Sequence, residues 1–132
     1  MLFIDYINKC LNNKTFEKAW RRQGVELNKI PNSIIFYQGR HGKCEVEKFF
    51  DAIKEKIVRA NILRQIVDSY NGHGKFYYKG FGIQEVKTER GNFLYFIFGP
   101  LMVITNTYVK NERTALNRSR KRMNKYIKSW YK

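Results

Sequence analysis

The chain has 132 residues, 43% of them apolar, which suits one globular domain with a single core and excludes both disorder and two ordinary domains. Its 26 Lys and Arg against 11 Asp and Glu give a formal charge of +15, a field that attracts polyanions, above all nucleic acid, with a membrane surface as the other candidate. The longest apolar run is broken by Gly99-Pro100, short of the roughly 20 residues a spanning helix needs, and Met1-Leu2-Phe3-Ile4-Asp5 lacks the basic start of a secretory signal. A cytoplasmic protein with no membrane contact is expected.

In the first 30 residues, Leu2, Phe3, Tyr6, Ile7, Cys10 and Leu11 fall at helical spacing, and Phe16, Ala19 and Trp20 come after a possible Thr15 cap. Two short helices are predicted here, ended by Gly24 and Pro31, forming either a helical extension or a unit packed on the domain behind it. Ser33 to Tyr37 reads as the first strand, closed by the turn-rich Gln38-Gly39-Arg40-His41-Gly42. Two helices, Glu45 to Ala52 and Ile53 to Tyr70, come next. The second carries Ile57, Val58, Ile62, Leu63, Ile66, Val67 and Tyr70 as its apolar stripe, and Lys54, Glu55, Lys56, Arg59 and Arg64, of mixed sign, read for the most part as a solvated face.

Gly-His-Gly-Lys at 72–75 echoes Arg-His-Gly-Lys at 40–43; such loops can offer N–H groups to phosphate, although neither has P-loop spacing, and loop punctuation is the default. Cys10 and Cys44 form no Cys-x-x-Cys pair or Cys/His cluster, so two reduced thiols and no metal site or cofactor are expected.

Phe81 to Thr88 reads as the second strand. Asn92 to Lys110 reads as a hairpin about Gly99-Pro100; its first arm, Phe93 to Phe98, is apolar throughout, which suits a central strand covered on both faces. Its second arm softens at Thr105, Asn106 and Thr107 and ends on Tyr108-Val109-Lys110, where polar groups are expected to emerge at the sheet's end. The final helix, capped by Thr114, would bury Leu116, Met123, Ile127 and Trp130. From Lys110 to Lys132 nine basic residues face Glu112 alone, so just over half of the net charge lies here and polyanion contact is favoured.

The order strand, two helices, three-stranded meander and basic segment resembles the RelE/ParE superfamily, most closely its HigB-type branch, over residues 33–130. The resemblance is carried by Ile35-Phe36-Tyr37, by Gly42-Lys43-Cys44-Glu45-Val46-Glu47-Lys48-Phe49-Phe50, by Leu94-Tyr95-Phe96, by Tyr108-Val109-Lys110 and by Arg120-Lys121-Arg122-Met123. It implies an α+β domain over 31–132: a four-stranded twisted mixed or antiparallel sheet, two helices on one face and the basic helix at its edge or end, with 1–30 as an amino-terminal extension.

It also implies the toxin of a toxin-antitoxin pair, held by a cognate antitoxin and cutting ribosome-bound mRNA without a metal ion. On that basis Lys87, Arg90, Tyr108, Lys110 and Arg113 are the candidate catalytic residues. Arg118, Arg120, Lys121, Arg122 and Lys125 are the candidate RNA-binding ones. The usual Glu-Leu-Arg is Glu85-Val86-Lys87 here, an ammonium replacing a guanidinium fork, and Asn92 and Asn111 stand where basic residues are usual. A same-fold toxin acting on a protein such as DNA gyrase, or a non-catalytic nucleic-acid-binding module, are the alternatives.

Overall fold

The computed structural model describes residues 1–26 and 29–131. Residues 27 and 28 of the predicted extension, and Lys132 of the basic segment, lie outside the described residues.

Two short helices come first, α1 (Phe3–Cys10) and α2 (Lys14–Arg22). Asn13, rather than Thr15, caps α2, its side chain accepting the Phe16 N–H at 3.0 Å. β1 (Ile34–Phe36) leads through the 40–42 turn into α3 (Glu45–Asp51) and α4 (Lys56–Tyr70), and then β2 (Tyr77–Gly80), β3 (Ile83–Lys87), β4 (Asn92–Phe98) and β5 (Leu101–Tyr108) precede α5 (Glu112–Ser129).

The fold is α+β, but its sheet has five strands, not four, in the order β1-β5-β4-β3-β2. The extra strand is β2, an outer strand whose Tyr77 and Tyr78 are exposed, so it lacks the apolar alternation that marks a half-buried strand. β1 runs parallel to β5 and the other pairs are antiparallel. The predicted hairpin forms, and β4 is the middle strand of the sheet. Phe93 to Phe96 are buried on alternating faces, whereas Ile97 is exposed.

The two faces are covered unequally. Against one pack α1 to α4, whose Phe3, Tyr6, Phe16, Phe50 and Leu63 share a core with Phe93 and Ile104. The residues of the predicted extension are therefore part of the principal core. Against the other face lies α5, which covers Ile83, Leu94, Phe96 and Val103 and does not sit at the edge or end of the sheet.

Ala115 and Ser119, small enough for close approach to the strands, are its buried residues; Trp130, expected in the buried stripe, is instead 59% exposed just past the helix end. Its N-cap is Asn111, in the left-handed region at φ 62°, not Thr114. On α4, Ile57 is exposed and Arg59 buried, the reverse of the predicted faces. The Arg59 guanidinium donates to Ile53 O at 2.6 Å and Asp51 O at 3.3 Å, satisfying carbonyls at and just beyond the end of α3.

Two register irregularities shape the sheet. On β5, Asn106 pairs with Leu94 and Ile104 with Tyr95, so Thr105 is an inserted residue; on β2, Tyr78 pairs with Gln84 and Gly80 with Ile83, so Lys79 is another. A bulge turns a strand locally and re-aims its side chains. Thr105, Asn106 and Thr107 are buried, and the chain reaches the surface at Val109 and Lys110. Thr105 Oγ1 lies 2.6 Å from Ser119 Oγ and Asn106 Nδ2 donates to Ala115 O at 3.2 Å, a polar seam that fastens α5 to β5.

Candidate nucleic-acid site

The antiparallel register sets Lys87 beside Asn92 and Asn92 beside Tyr108, in one row across the ends of β3, β4 and β5. Two residue pairs further along, Glu85 is fully buried on β3. The Tyr108 hydroxyl donates to Glu85 Oε2 in a short hydrogen bond. Glu85 Oε1 has no hydrogen-bond partner among the described residues; the nearest cation is Lys79, with Nζ 3.9 Å away. Lys79, aimed here by its bulge, also pairs with Glu112 at 2.7 Å. Lys87 lies over the Tyr77 ring at 4.5 Å.

These contacts set the protonation states. Burial, then the Glu85 hydrogen bond, pushes the Tyr108 phenol well above its ordinary range, so it holds its proton at neutral pH. The Lys79 hydrogen bond lowers the Glu112 carboxyl, and the same contact raises Lys79. The strand end is thus a neutral phenol backed by a buried carboxylate, with two ammonium groups held nearby.

Of the residues predicted as catalytic, Tyr108 and Lys87 are brought together here. Arg90 turns away, in the β3–β4 turn, and forms a short ion pair with Glu55 before α4. Lys110 and Arg113 flank Asn111 just past Tyr108, both exposed and without a side-chain hydrogen bond or ion pair among the described residues. Lys79, Tyr77 and Glu112 complete the cluster and were not singled out as site residues. The one available signal, for Tyr77 and Lys79 but not Glu112, is the run of aromatics between lysines in Lys75-Phe76-Tyr77-Tyr78-Lys79.

The predicted RNA-binding residues of α5 divide between its flanks. Arg118 and Arg122 reach toward α3, meeting Glu45 at 3.4 and 3.2 Å, and Arg122 also donates to Thr105 O at 2.8 Å. Arg120 lies on the other flank, stacked over the exposed ring of Phe81 at 3.8 Å. Lys121 and Lys125 are exposed.

A cavity of about 800 Å³ lies away from Tyr108, between the 37–48 segment and α5, where Arg40, Lys43, Lys48, Arg122 and Lys125 line it with one carboxylate, Glu45. His41 shares this wall in the left-handed region at φ 61°, next to Gly42 at φ 73°. His73, of the echoing loop, does not line it.

Cys10 and Cys44 are free and buried, and burial raises both thiols. Among the described residues no group of three or more His, Cys, Asp or Glu is placed to hold a metal ion, and no helix is long and apolar enough to cross a membrane. Comparison with protein-family models, with curated proteins and with solved structures finds no match to the chain.

Proposed function

We propose that this protein is the toxin component of a toxin-antitoxin pair, similar to the HigB-type branch of the RelE/ParE superfamily, and a metal-independent endoribonuclease acting in the cytoplasm on ribosome-bound mRNA. The observation that carries this reading is the Tyr108–Glu85 hydrogen bond among lysines at the end of β5. Cleavage without a metal begins when the RNA 2′-oxygen forms a bond to the adjacent phosphorus. The 2′-OH must lose its proton, the phosphorane must be neutralised, and the departing 5′-oxygen must gain a proton.

Tyr108 is not a standing base, because its raised pKa keeps it a phenol. It serves as a relay: the phenol oxygen takes the 2′-OH proton while its own proton passes to Glu85, leaving a neutral tyrosine and a protonated carboxyl. Lys87 and Lys110 offset the charge on the phosphorane, and the Lys110 ammonium protonates the 5′-oxygen as its bond to phosphorus breaks. Arg113 contacts a neighbouring phosphate. Arg90, held by Glu55, is reserved for a more distant part of the RNA.

The +15 charge suits both the RNA and an antitoxin that presents acidic surface. The test is incubation of the purified protein with translating ribosomes and mapping of new RNA 5′ ends, with Tyr108→Phe in parallel. New ends that vanish in the variant are expected. No new ends with the wild-type protein overturns the reading and leaves a binding protein or a toxin with a protein target.

A further inference from the structure

The 800 Å³ cavity between the 37–48 segment and α5 concentrates charge that the strand-end chemistry does not use. Of its cations, Arg122 is fixed: it is bonded to Glu45 and Thr105 O and lies 5.5 Å from the Tyr37 ring centroid. The other four, Arg40, Lys43, Lys48 and Lys125, are exposed and form no side-chain ion pair among the described residues. Four unneutralised cations around one concavity repel one another unless an anion sits between them.

A second cavity of about 310 Å³ adjoins the first, sharing Tyr37, Gln38 and Lys125, and its wall includes the half-buried ring of Tyr126. A basic lobe therefore opens into an aromatic one. We infer that this two-lobed cleft is a nucleotide-binding site, taking a phosphate of single-stranded RNA among Arg40, Lys43, Lys48 and Lys125 and the attached base against Tyr37 and Tyr126. Single-strand binders combine these elements, a cationic track for the backbone and aromatic faces for the bases.

An acidic peptide would satisfy the cations without its charge calling on the aromatic lobe, whereas every nucleotide carries a planar base beside its phosphate, so the pairing of the lobes favours nucleic acid. Glu45 sets the geometry: by holding Arg122 it fixes the floor of the cleft, and it also accepts the Thr107 N–H at 3.0 Å, one residue before Tyr108. Glu45 thus ties the wall of the cleft to Thr107 of β5, the neighbour of Tyr108. One RNA strand held in the cleft is thereby directed toward Tyr108. The inference rests on the RNA-directed reading above and adds to it the seat of the strand.

The test uses the full-length protein and a short 2′-O-methyl oligoribonucleotide, which binds as RNA does but lacks the 2′-OH that attacks. Because cleavage is impossible, binding is scored apart from catalysis. Lys43→Glu with Lys48→Glu, both on exposed positions, is expected to weaken binding on the order of 10-fold or more and to flatten its salt dependence. Tyr37→Ala is expected to weaken binding and Tyr37→Phe to leave it unchanged, with backbone amide shifts on 39–48 when the oligomer is added.

Unchanged affinity in the Lys43/Lys48 variant, with far-ultraviolet circular dichroism like wild type, overturns the inference. So does equal displacement of the oligomer by a poly-glutamate peptide, which would assign the cleft to a protein partner. Inorganic phosphate that binds as tightly as the oligomer overturns the nucleotide assignment. If the oligomer binds as expected while unmodified RNA stays uncut on ribosomes, the nuclease reading fails and the cleft stands.

Discussion

Glu45, the first residue of α3, holds Arg122 in the middle of α5 at 3.2 Å, so one carboxylate ties together helices on opposite faces of the sheet. The same carboxylate meets Arg118 and the Thr107 N–H. It joins two helices and a strand.

Glu45→Ala should therefore cost more than a surface charge. It leaves the Thr107 N–H without its acceptor and the partly buried Arg122 guanidinium with Thr105 O alone, a loss of about 1–3 kcal/mol. Urea denaturation monitored by circular dichroism measures it. A midpoint shift no larger than that of Glu26→Ala, on an exposed residue, would contradict the role.

Arg59→Met should destabilise by roughly 1–3 kcal/mol, since the aliphatic stem is replaced but the carbonyls of Asp51 and Ile53 lose their donor. Lys56→Met on the same helix, making no side-chain hydrogen bond among the described residues, is the control. Equal urea midpoints for the two variants would refute the capping assignment.

In the strand end, Tyr108→Phe and Lys110→Ala should each lower the single-turnover cleavage rate on the order of 10²-fold or more, by removing the proton relay or a donor to the phosphorane. Lys121→Ala and Lys125→Ala should instead weaken affinity in a salt-dependent way and leave the bound-state rate nearly unchanged. Rapid-quench assays at saturating protein separate the two effects. A Lys110→Ala rate equal to wild type would remove Lys110 from the chemistry.

The Glu112–Lys79 pair gives a signed pH effect. Glu112 has a folded-state pKa below its unfolded one, so its contribution to stability is present above the ordinary carboxyl range and is lost as pH falls through the lowered value. Glu112→Gln should remove that part of the acid limb, modestly because the side chain is 45% exposed. Tyr108 acts at the other end of the scale: with its pKa raised, its contribution is complete below about pH 10 and is lost as pH rises toward the higher value. Thermal melts from pH 3 to 6 and from 9 to 11 compare each variant, Glu112→Gln and Tyr108→Phe, with wild type.

The hairpin from Asn92 was legible because its apolar, β-branched runs flank Gly99-Pro100, and α4 was legible from its periodicity. What the sequence concealed was each residue whose partner lies in another element. Arg59 looks like a solvated helix charge until the carbonyls it satisfies, at the end of α3, are brought beside it. Thr105 to Thr107 look like a fraying strand because Ser119 and Glu45, which satisfy two of their polar groups, belong to α5 and α3. β2 was hidden because an outer strand needs no apolar alternation.

The candidate site divides the same way. Tyr108 and Lys87 could be read from strand ends, but their turn toward Lys79 and Glu85 depends on a bulge and a register that composition does not encode. The cleft pairs Arg40 and Lys43 with Arg122 and Lys125, from the far end of the chain. The Arg-His-Gly-Lys phrase hinted at one wall and the basic helix at the other, but nothing in the sequence brings the two together.

The sheet's two margins differ. Along β1, Leu2 bridges to Ile35 and Met1 O accepts the Phe36 N–H at 2.7 Å, so that margin is already occupied by the chain itself. Along β2 no strand is paired on the outer side among the described residues, and Phe76 and Tyr78 are exposed there. Strand addition between copies therefore has one place to begin, β2 against β2, and that contact uses the open margin of both copies. Among the described residues one margin alone is free, and a unit with a single free side can pair once by strand addition but does not extend into an endless ribbon of sheets.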